Sequence, residues 1–318
     1  MMTSFNAELP AQPLSGVFAP ALTPFDSAGK IDQRVFTAHC RWLVDAGVGL
    51  AVFGTNSEAA SLSLGERQDA LEELIVSGLD PRRFMPGTGT CSVKETVELT
   101  RHALGLGVSG VLMLPPFYYP DPSEDGLFSY FADVIDTVAD DRLRLYLYHI
   151  PQMTGVPITL GLIERLLKRY SGTVCGLKDS SGDWSNIEAT IRAFSADGFS
   201  VFPASEALLA KALPLGAVGC ISATANMNPF GLARYYQSLV TAPDAHAPDE
   251  AMTLAVRRVF SSMPMIPAMK YTLSQVTASP GWADVRPPLT SLSEQDRLTL
   301  DQALKEIGFQ MEGLSAFV

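Results

Sequence analysis

The chain reads as an α/β protein of the (β/α)8 barrel class with a C-terminal helical extension. Three observations point there. Short apolar runs alternate with longer helical patterns almost to residue 225. There are eight such strand–helix steps, each of about 25–30 residues, the size of one βα unit. No GxGxxG follows the first apolar run, which removes the dinucleotide-binding open sheet. Eight units in about 225 residues fit a closed barrel better than a doubly wound sheet.

The first expected strand is 17–22. A helix follows in which Val35, Phe36, His39, Trp42, Leu43 and Ala46 share one face. Strands are then expected at 50–53, 83–86, 110–114, 143–149, 174–178, 199–202 and 218–222. Helices are expected to start at Ser63, Lys94, Ser123, Thr159, Asp183 and Glu206. After about Phe230 the strand signal stops, and a proline-rich connection lies near Pro280 to Pro288. The expected domains are therefore residues 14–228, the barrel, and 229–318, helices packed on it.

The bulk numbers narrow the function. With 47% hydrophobic and 18% charged residues among 318, the chain has ample material for a core and is not disordered. A formal net charge of -11, without a basic run, argues against a nucleic-acid partner. It also means that an anionic substrate must be held by local donors, since the global field is screened within about 8 Å. Cys40, Cys91, Cys175 and Cys220 form no CxxC, and no two histidines are paired for zinc. Residues 1–13 lack the basic and apolar regions of a signal peptide, and no apolar stretch approaches the ~20 residues of a membrane span. A cytoplasmic protein with no membrane partner is expected.

Barrel chemistry sits at the carboxyl ends of strands and on the loops that follow them. The run Thr173-Val-Cys-Gly-Leu-Lys178 places a lysine at such an end. Burial disfavours the charged form of a lysine and leaves a neutral amine able to attack a carbonyl and form a Schiff base. The alternative is a lysine that snorkels to water or pairs with Asp179. One strand earlier, Tyr146 and Tyr148 share a face, and Tyr148 lies at the carboxyl end. It is either a proton carrier for an imine or a core tyrosine. His149 points the other way and is read as structural.

After the second strand, Gly54-Thr-Asn-Ser-Glu58 offers a capping box at Thr55 and Glu58, but Ser63 and Glu66 form a second one where the helix begins. The first cluster is thus left either to bind a carboxylate through Thr55 and Asn56 or to form a plain turn. Pro115-Pro-Phe-Tyr-Tyr119-Pro holds out an aromatic pair, which suggests an interface. Between residues 199 and 225 the only basic residue is Lys211, which the helical pattern hides, so a phosphate ester is not the expected substrate.

The ordered set GTNSE (54–58), PPFYYPDPSEDGL (115–127), YHIP (148–151), GLKDSSGD (176–183) and GAVGCISATAN (216–226) resembles the dihydrodipicolinate synthase / N-acetylneuraminate lyase family, from about Leu14 to Lys270. The resemblance implies a barrel, commonly a homotetramer (dimer of dimers), that binds pyruvate as a Schiff base with no metal and no organic cofactor. By that resemblance Lys178 is the imine lysine and Tyr148 the proton shuttle. Thr55 relays protons and, with the Asn56 backbone, holds the pyruvate carboxylate. Tyr119 completes the relay in a neighbouring subunit, and Ile221 lines the pocket through its carbonyl.

The departures concern the second substrate. Met153 stands where the synthases carry an arginine for the carboxylate of aspartate semialdehyde. A lost charged hydrogen bond costs about 1.5–3 kcal/mol. Ser57 replaces a glycine and would be strained if that position needed φ > 0. Ala204 replaces a glycine and would narrow the pocket. Glu206 stands where sialic-acid lyases have an acidic residue for sugar hydroxyls. The reading is a class I aldolase or lyase joining or cleaving pyruvate and an aldehyde, with 4-hydroxy-2-oxo acid substrates. The alternatives are a 4-hydroxy-tetrahydrodipicolinate synthase of lysine biosynthesis, a 2-oxo-3-deoxy sugar acid dehydratase, and a non-catalytic 2-oxo-acid sensor.

Overall fold

A computed structural model describes residues 14–242 and 247–314. The stretch assessed for a leader (1–13) and His246 lie outside the described residues. The chain forms two compact units. One holds the described residues up to Ser15 and Asp80–Ile221; the other holds Gly16–Leu79 and the described residues from Ser222 onward.

In the second of these units, β1 (Gly16–Ala19) and β2 (Gly49–Leu50) run parallel, with Phe18 opposite Gly49 and Ala19 opposite Leu50. A parallel pair needs a crossover, and the helix Gln33–Asp45 supplies it. Asp32 caps this helix by accepting from the Val35 N–H at 3.0 Å. The face expected from the sequence is the buried one, Val35, Phe36, His39, Trp42 and Leu43 among it. Gly49 is required by close approach: a Cβ there would lie 2.3 Å from the Phe18 ring. The next helix, Leu64–Val76, starts on a complete Ser63–Glu66 capping box, as expected. Beyond residue 222 the unit is helical: Pro229–Thr241, Glu250–Ser261, Met265–Thr277 and Glu294–Glu306.

The other unit carries β3 (Val111–Met113), β4 (Leu145–His149), β5 (Val174–Asp179), β6 (Ser200–Pro203) and β7 (Gly219–Ile221). The first four form a parallel sheet in chain order. Helices Val93–Gly105, Glu124–Val138, Leu160–Arg169 and Trp184–Phe194 alternate with the strands. Ser123, Thr159 and Asp183 are their caps where the sequence expected helix starts.

The third expected strand, 83–86, is a correction in detail. Phe84 and Gly87 are single bridge residues there, Gly87 pairing parallel with Leu112, while Pro86 O accepts from the Leu112 N–H and the Thr88 N–H reaches Leu112 O, both at 2.9 Å. Pro86 has no N–H to extend the ladder, and the turn Pro81–Arg83 occupies the approach. Lys178, expected on the sixth strand, therefore lies on the fifth named one. Lys211 is also corrected: it is exposed, with Nζ 5.3 Å from the centre of the Trp184 ring. No helix among the described residues is long and apolar enough to cross a membrane.

Candidate active site at the carboxyl ends of β4 and β5

Alternation along the strands sorts their residues by face. On β4, Tyr146 and Tyr148 point one way and Leu145, Leu147 and His149 the other. The parallel register sets Tyr146 opposite Gly176, Tyr148 opposite Lys178, and Lys178 in turn opposite Phe202. Two layers result. The lower one holds the Tyr146 ring, whose hydroxyl accepts from the Leu14 N–H at 3.0 Å. Glycines make room for it: a Cβ on Gly110 or on Gly176 would come within 2.7 Å of the ring. Burial pushes the Tyr146 phenol above the usual tyrosine range.

The upper layer holds Tyr148, Lys178 and Phe202. Lys178 and Tyr148 are each 2% exposed, and Lys178 Nζ sits 4.2 Å from the centre of the Tyr148 ring. Both alternatives for Lys178 are thereby removed. The side chain does not reach bulk water, and Asp179, the next residue, faces the opposite side. There Asp179 accepts from the Ser181 N–H (2.8 Å), the Ser181 hydroxyl (2.6 Å) and the Asn186 amide (2.6 Å). His149 shares that outer side, where its Nδ1 accepts from the Ile158 N–H at 3.0 Å and burial holds its pKa down. An amine and a phenol ring thus meet at the strand ends, while the carboxylate holds the segment after β5 and the imidazole the Ile158 backbone.

In the other unit, Thr55 and Asn56 lie on the single turn Thr55–Ser57. The turn is bracketed by two non-glycine residues in left-handed backbone, Phe53 at φ 59° and Glu58 at φ 57°. Such strain is kept only where the surroundings enforce it. The expected strain at Ser57 is corrected, since the left-handed position is its neighbour Glu58. Ser57 is buried, its hydroxyl donates to Ala21 O at 2.5 Å, and its carbonyl accepts from the Thr23 hydroxyl at 2.8 Å.

Glu58 makes no cap. Its Oε1 receives Lys270 Nζ at 2.8 Å with both side chains at or below 1% exposure, and its Oε2 receives the Arg286 N–H at 2.7 Å. The Arg286 guanidinium continues to Glu66 and to Gly29 O and Ser61 O. It holds the Glu66 carboxyl well below the usual range, at about 2. Burial pulls Lys270 below the usual lysine range, with Glu58 opposing that shift. The sequence reading missed this anchor. Its signal was a lone lysine inside the apolar Met265–Thr277 pattern.

The remaining expected residues are distributed as follows. Tyr118 and Tyr119 are 77% and 74% exposed, with rings edge to face at 5.5 Å. Met153 is 66% exposed on the turn Pro151–Thr154. Ile221 ends β7 and is buried. The Ala204 N–H donates to Asp179 O at 2.8 Å just past β6, and Glu206 is buried at the head of the turn Glu206–Leu208. Lys178 and Tyr148 are brought together; Met153 and Tyr119 stand on the surface of the same unit. Phe202 was not foreseen, although period-two counting from Ser200 would have found it.

Comparison with known proteins supplies the family. A profile described as the dihydrodipicolinate synthetase family matches residues 13–307. An uncharacterized DapA-like lyase of Chloroflexus aurantiacus is 35% identical over 294 residues, covering 92% of this chain and 96% of that one. The dihydrodipicolinate synthase of Agrobacterium tumefaciens superposes with a TM-score of 0.82 at 30% identity, over 92% of this chain and 99% of that one. YagE of E. coli K12, a member of the dihydrodipicolinic acid synthase family solved in complex with pyruvate, gives 0.84 at 27%, over 93% and 99%. The fold class is thus the expected (β/α)8 barrel with a C-terminal helical extension. Profile, relative and structures agree over nearly the full length, and the chain belongs to the dihydrodipicolinate synthetase family.

Proposed function

We propose that this family lyase forms a Schiff base between Lys178 and a 2-oxo acid, pyruvate in the first instance, and makes or breaks its bond to an aldehyde. The observation that carries the reading is the Tyr148–Lys178 register pair, buried together with Nζ 4.2 Å from the ring centre. Lys178 Nζ adds to the ketone carbon and water leaves, giving the imine. Loss of a proton from the methyl carbon gives an enamine, with the electron pair drawn toward the iminium nitrogen. That carbon attacks the aldehyde, the new alkoxide takes a proton, and water releases a 4-hydroxy-2-oxo acid. Tyr148 carries the protons, Thr55 relays them, and Asn56 with Thr55 holds the carboxylate. Tyr119 of a second copy completes the relay in a homotetramer, and the Ile221 carbonyl lines the pocket. Pyruvate bound in a structural relative supports the first substrate.

The aldehyde we infer carries no carboxylate. In the unit that holds Lys178, the segments following β3 to β6 (114–123, 150–159, 180–183 and 204–205) contain no lysine or arginine. At Met153 an exposed thioether replaces the guanidinium that would grip a second acid. Ala204 and Glu206 would shape the far wall. A cytoplasmic location fits the four cysteines, none of which is in a disulfide. The test is incubation with pyruvate and borohydride followed by peptide mass analysis. An adduct on Lys178, absent from Lys178→Met, supports the proposal; an unmodified Lys178 ends it.

A further inference from the structure

Past Ala19, where β1 ends, residues 20–23 are gripped by two buried residues that take alternate positions. Pro20 and Leu22 go to Asn226: its Nδ2 donates to Pro20 O at 3.2 Å and its Oδ1 accepts from the Leu22 N–H at 3.0 Å. Ala21 and Thr23 go to Ser57, whose hydroxyl donates to Ala21 O at 2.5 Å and whose carbonyl accepts from the Thr23 hydroxyl at 2.8 Å. The four residues are thus pinned at every position. All of these groups belong to the unit that holds Gly16–Leu79 and the C-terminal helices.

Asn226 makes this segment a firm base. Its Oδ1 also meets His39 Nε2 at 2.9 Å, and its Nδ2 also donates to Ala223 O at 2.9 Å. Two acceptor and two donor positions are all that a side-chain amide has, and all four are used.

Ser57 ends the turn that rests on the base. Its two predecessors, Thr55 and Asn56, are half-buried, whereas Ser57 itself is buried. Phe53 and Glu58, on either side of the turn, hold left-handed backbone that a non-glycine residue keeps only where its surroundings enforce it. Lys270 and the Arg286 N–H do so at Glu58. Within the turn itself, the Ser57 hydroxyl and carbonyl make the corresponding attachment to Ala21 and Thr23. Glycine, which Ser57 replaces, would leave Ala21 O without this donor.

We propose that Ser57 is a positioning residue for the 2-oxo acid: its hydroxyl locks the Thr55–Asn56 pair onto residues 20–23, so that the carboxylate donors are set before the acid arrives. This rests on the reading in which Thr55 and Asn56 take that carboxylate. Without the hydroxyl the turn divides its population between competent and relaxed forms, and apparent affinity falls by the competent fraction. A ketone without a carboxylate makes no use of the pair and is indifferent to the loss.

The test follows adduct formation on Lys178 under cyanoborohydride, by peptide mass analysis, in wild type, Ser57→Ala and Thr23→Val. Pyruvate is varied in one series; acetone, which keeps the ketone and lacks the carboxylate, replaces it in the other. Ser57→Ala should raise the half-saturating pyruvate concentration about tenfold, since a buried acceptor is left without its donor. At saturation it should reach the wild-type rate, and acetone should label Lys178 as fast as in wild type. Thr23→Val removes the other bond to the turn and should shift pyruvate in the same direction, severalfold. It carries the test if Ser57→Ala does not fold. An unchanged half-saturating concentration in the folded variant, or an equal loss with acetone, would overturn the role of Ser57 and leave the imine intact. No adduct in the wild-type protein would end both.

Discussion

Replacing Lys270 by methionine isolates the anchor behind the Thr55–Asn56 turn. The substitution keeps an unbranched side chain of similar length and removes only the ammonium. Glu58 would then hold a buried negative charge with one remaining donor, the Arg286 N–H at 2.7 Å. Breaking a buried pair from one side typically costs about 3–5 kcal/mol. The surviving backbone bond recovers part of this, so a loss of about 3 kcal/mol is expected. Chemical denaturation should show it as a lower midpoint with an unchanged slope. The double variant Glu58→Gln with Lys270→Met removes both charges and should regain most of the loss, because a neutral amide tolerates that environment. Glu58→Gln alone strands Lys270, already held below its usual range by burial. The cycle should thus give a coupling energy of about 2 kcal/mol or more between the two sites. Because Glu58 follows Thr55–Ser57 directly, Lys270→Met should also raise KM for pyruvate while the Lys178 adduct still forms at saturation. A coupling energy near zero, or a Lys270→Met protein as stable as wild type, would refute the reasoning.

Four further outcomes follow from the same geometry. Tyr148→Phe keeps the ring over Lys178 Nζ, so borohydride trapping should persist while turnover falls about 10²–10⁴-fold, read by steady-state kinetics. Met153→Arg changes an exposed side chain and should leave stability within about 0.5 kcal/mol, yet raise kcat/KM for a carboxylated aldehyde about tenfold. Gly176→Ala places a Cβ 2.3 Å from Ser200 O and 2.7 Å from Tyr146; a loss of about 3 kcal/mol or more should appear in thermal melts. The His39 contribution depends on pH with a definite sign. Its folded pKa, about 4, lies below the unfolded value of 6.5, so the unfolded chain takes up the proton first as pH falls. Stability from this group is intact above about pH 6.5 and declines toward pH 4. The loss is about 2 kcal/mol at pH 5, and His39→Gln should flatten that part of the profile.

The alternation of strands and helices was legible because each element satisfies a local rule. Apolar runs set the strands, and Ser63, Ser123, Thr159 and Asp183 mark helix starts by their own side chains. The Lys178–Tyr148 pair was legible for the same reason: period two within each strand, and adjacency of consecutive parallel strands. What escaped is what local pattern cannot encode. Residues 83–86 read as a strand, but single bridges at Phe84 and Gly87 replace it, with Pro86 unable to donate between them. Glu58 read as half of a spare capping box, and its partner lies 212 positions away in the chain. Lys211 falls in a short apolar helix and read as hidden, whereas a long stem lets it reach the surface beside Trp184.

The proposed imine chemistry calls for a lysine with no carboxylate beside it, because a neighbouring anion favours the charged form of an amine. The chain places an aspartate directly after the lysine, and alternation turns Asp179 outward to Ser181 and Asn186. Likewise Glu58 adjoins the turn proposed to hold the substrate carboxylate, where a bare anion would repel it. Lys270 and the Arg286 N–H take up both of its oxygens. In each place a carboxylate one step from the chemistry is engaged by the scaffold, and removing its partner should disturb substrate binding as well as folding.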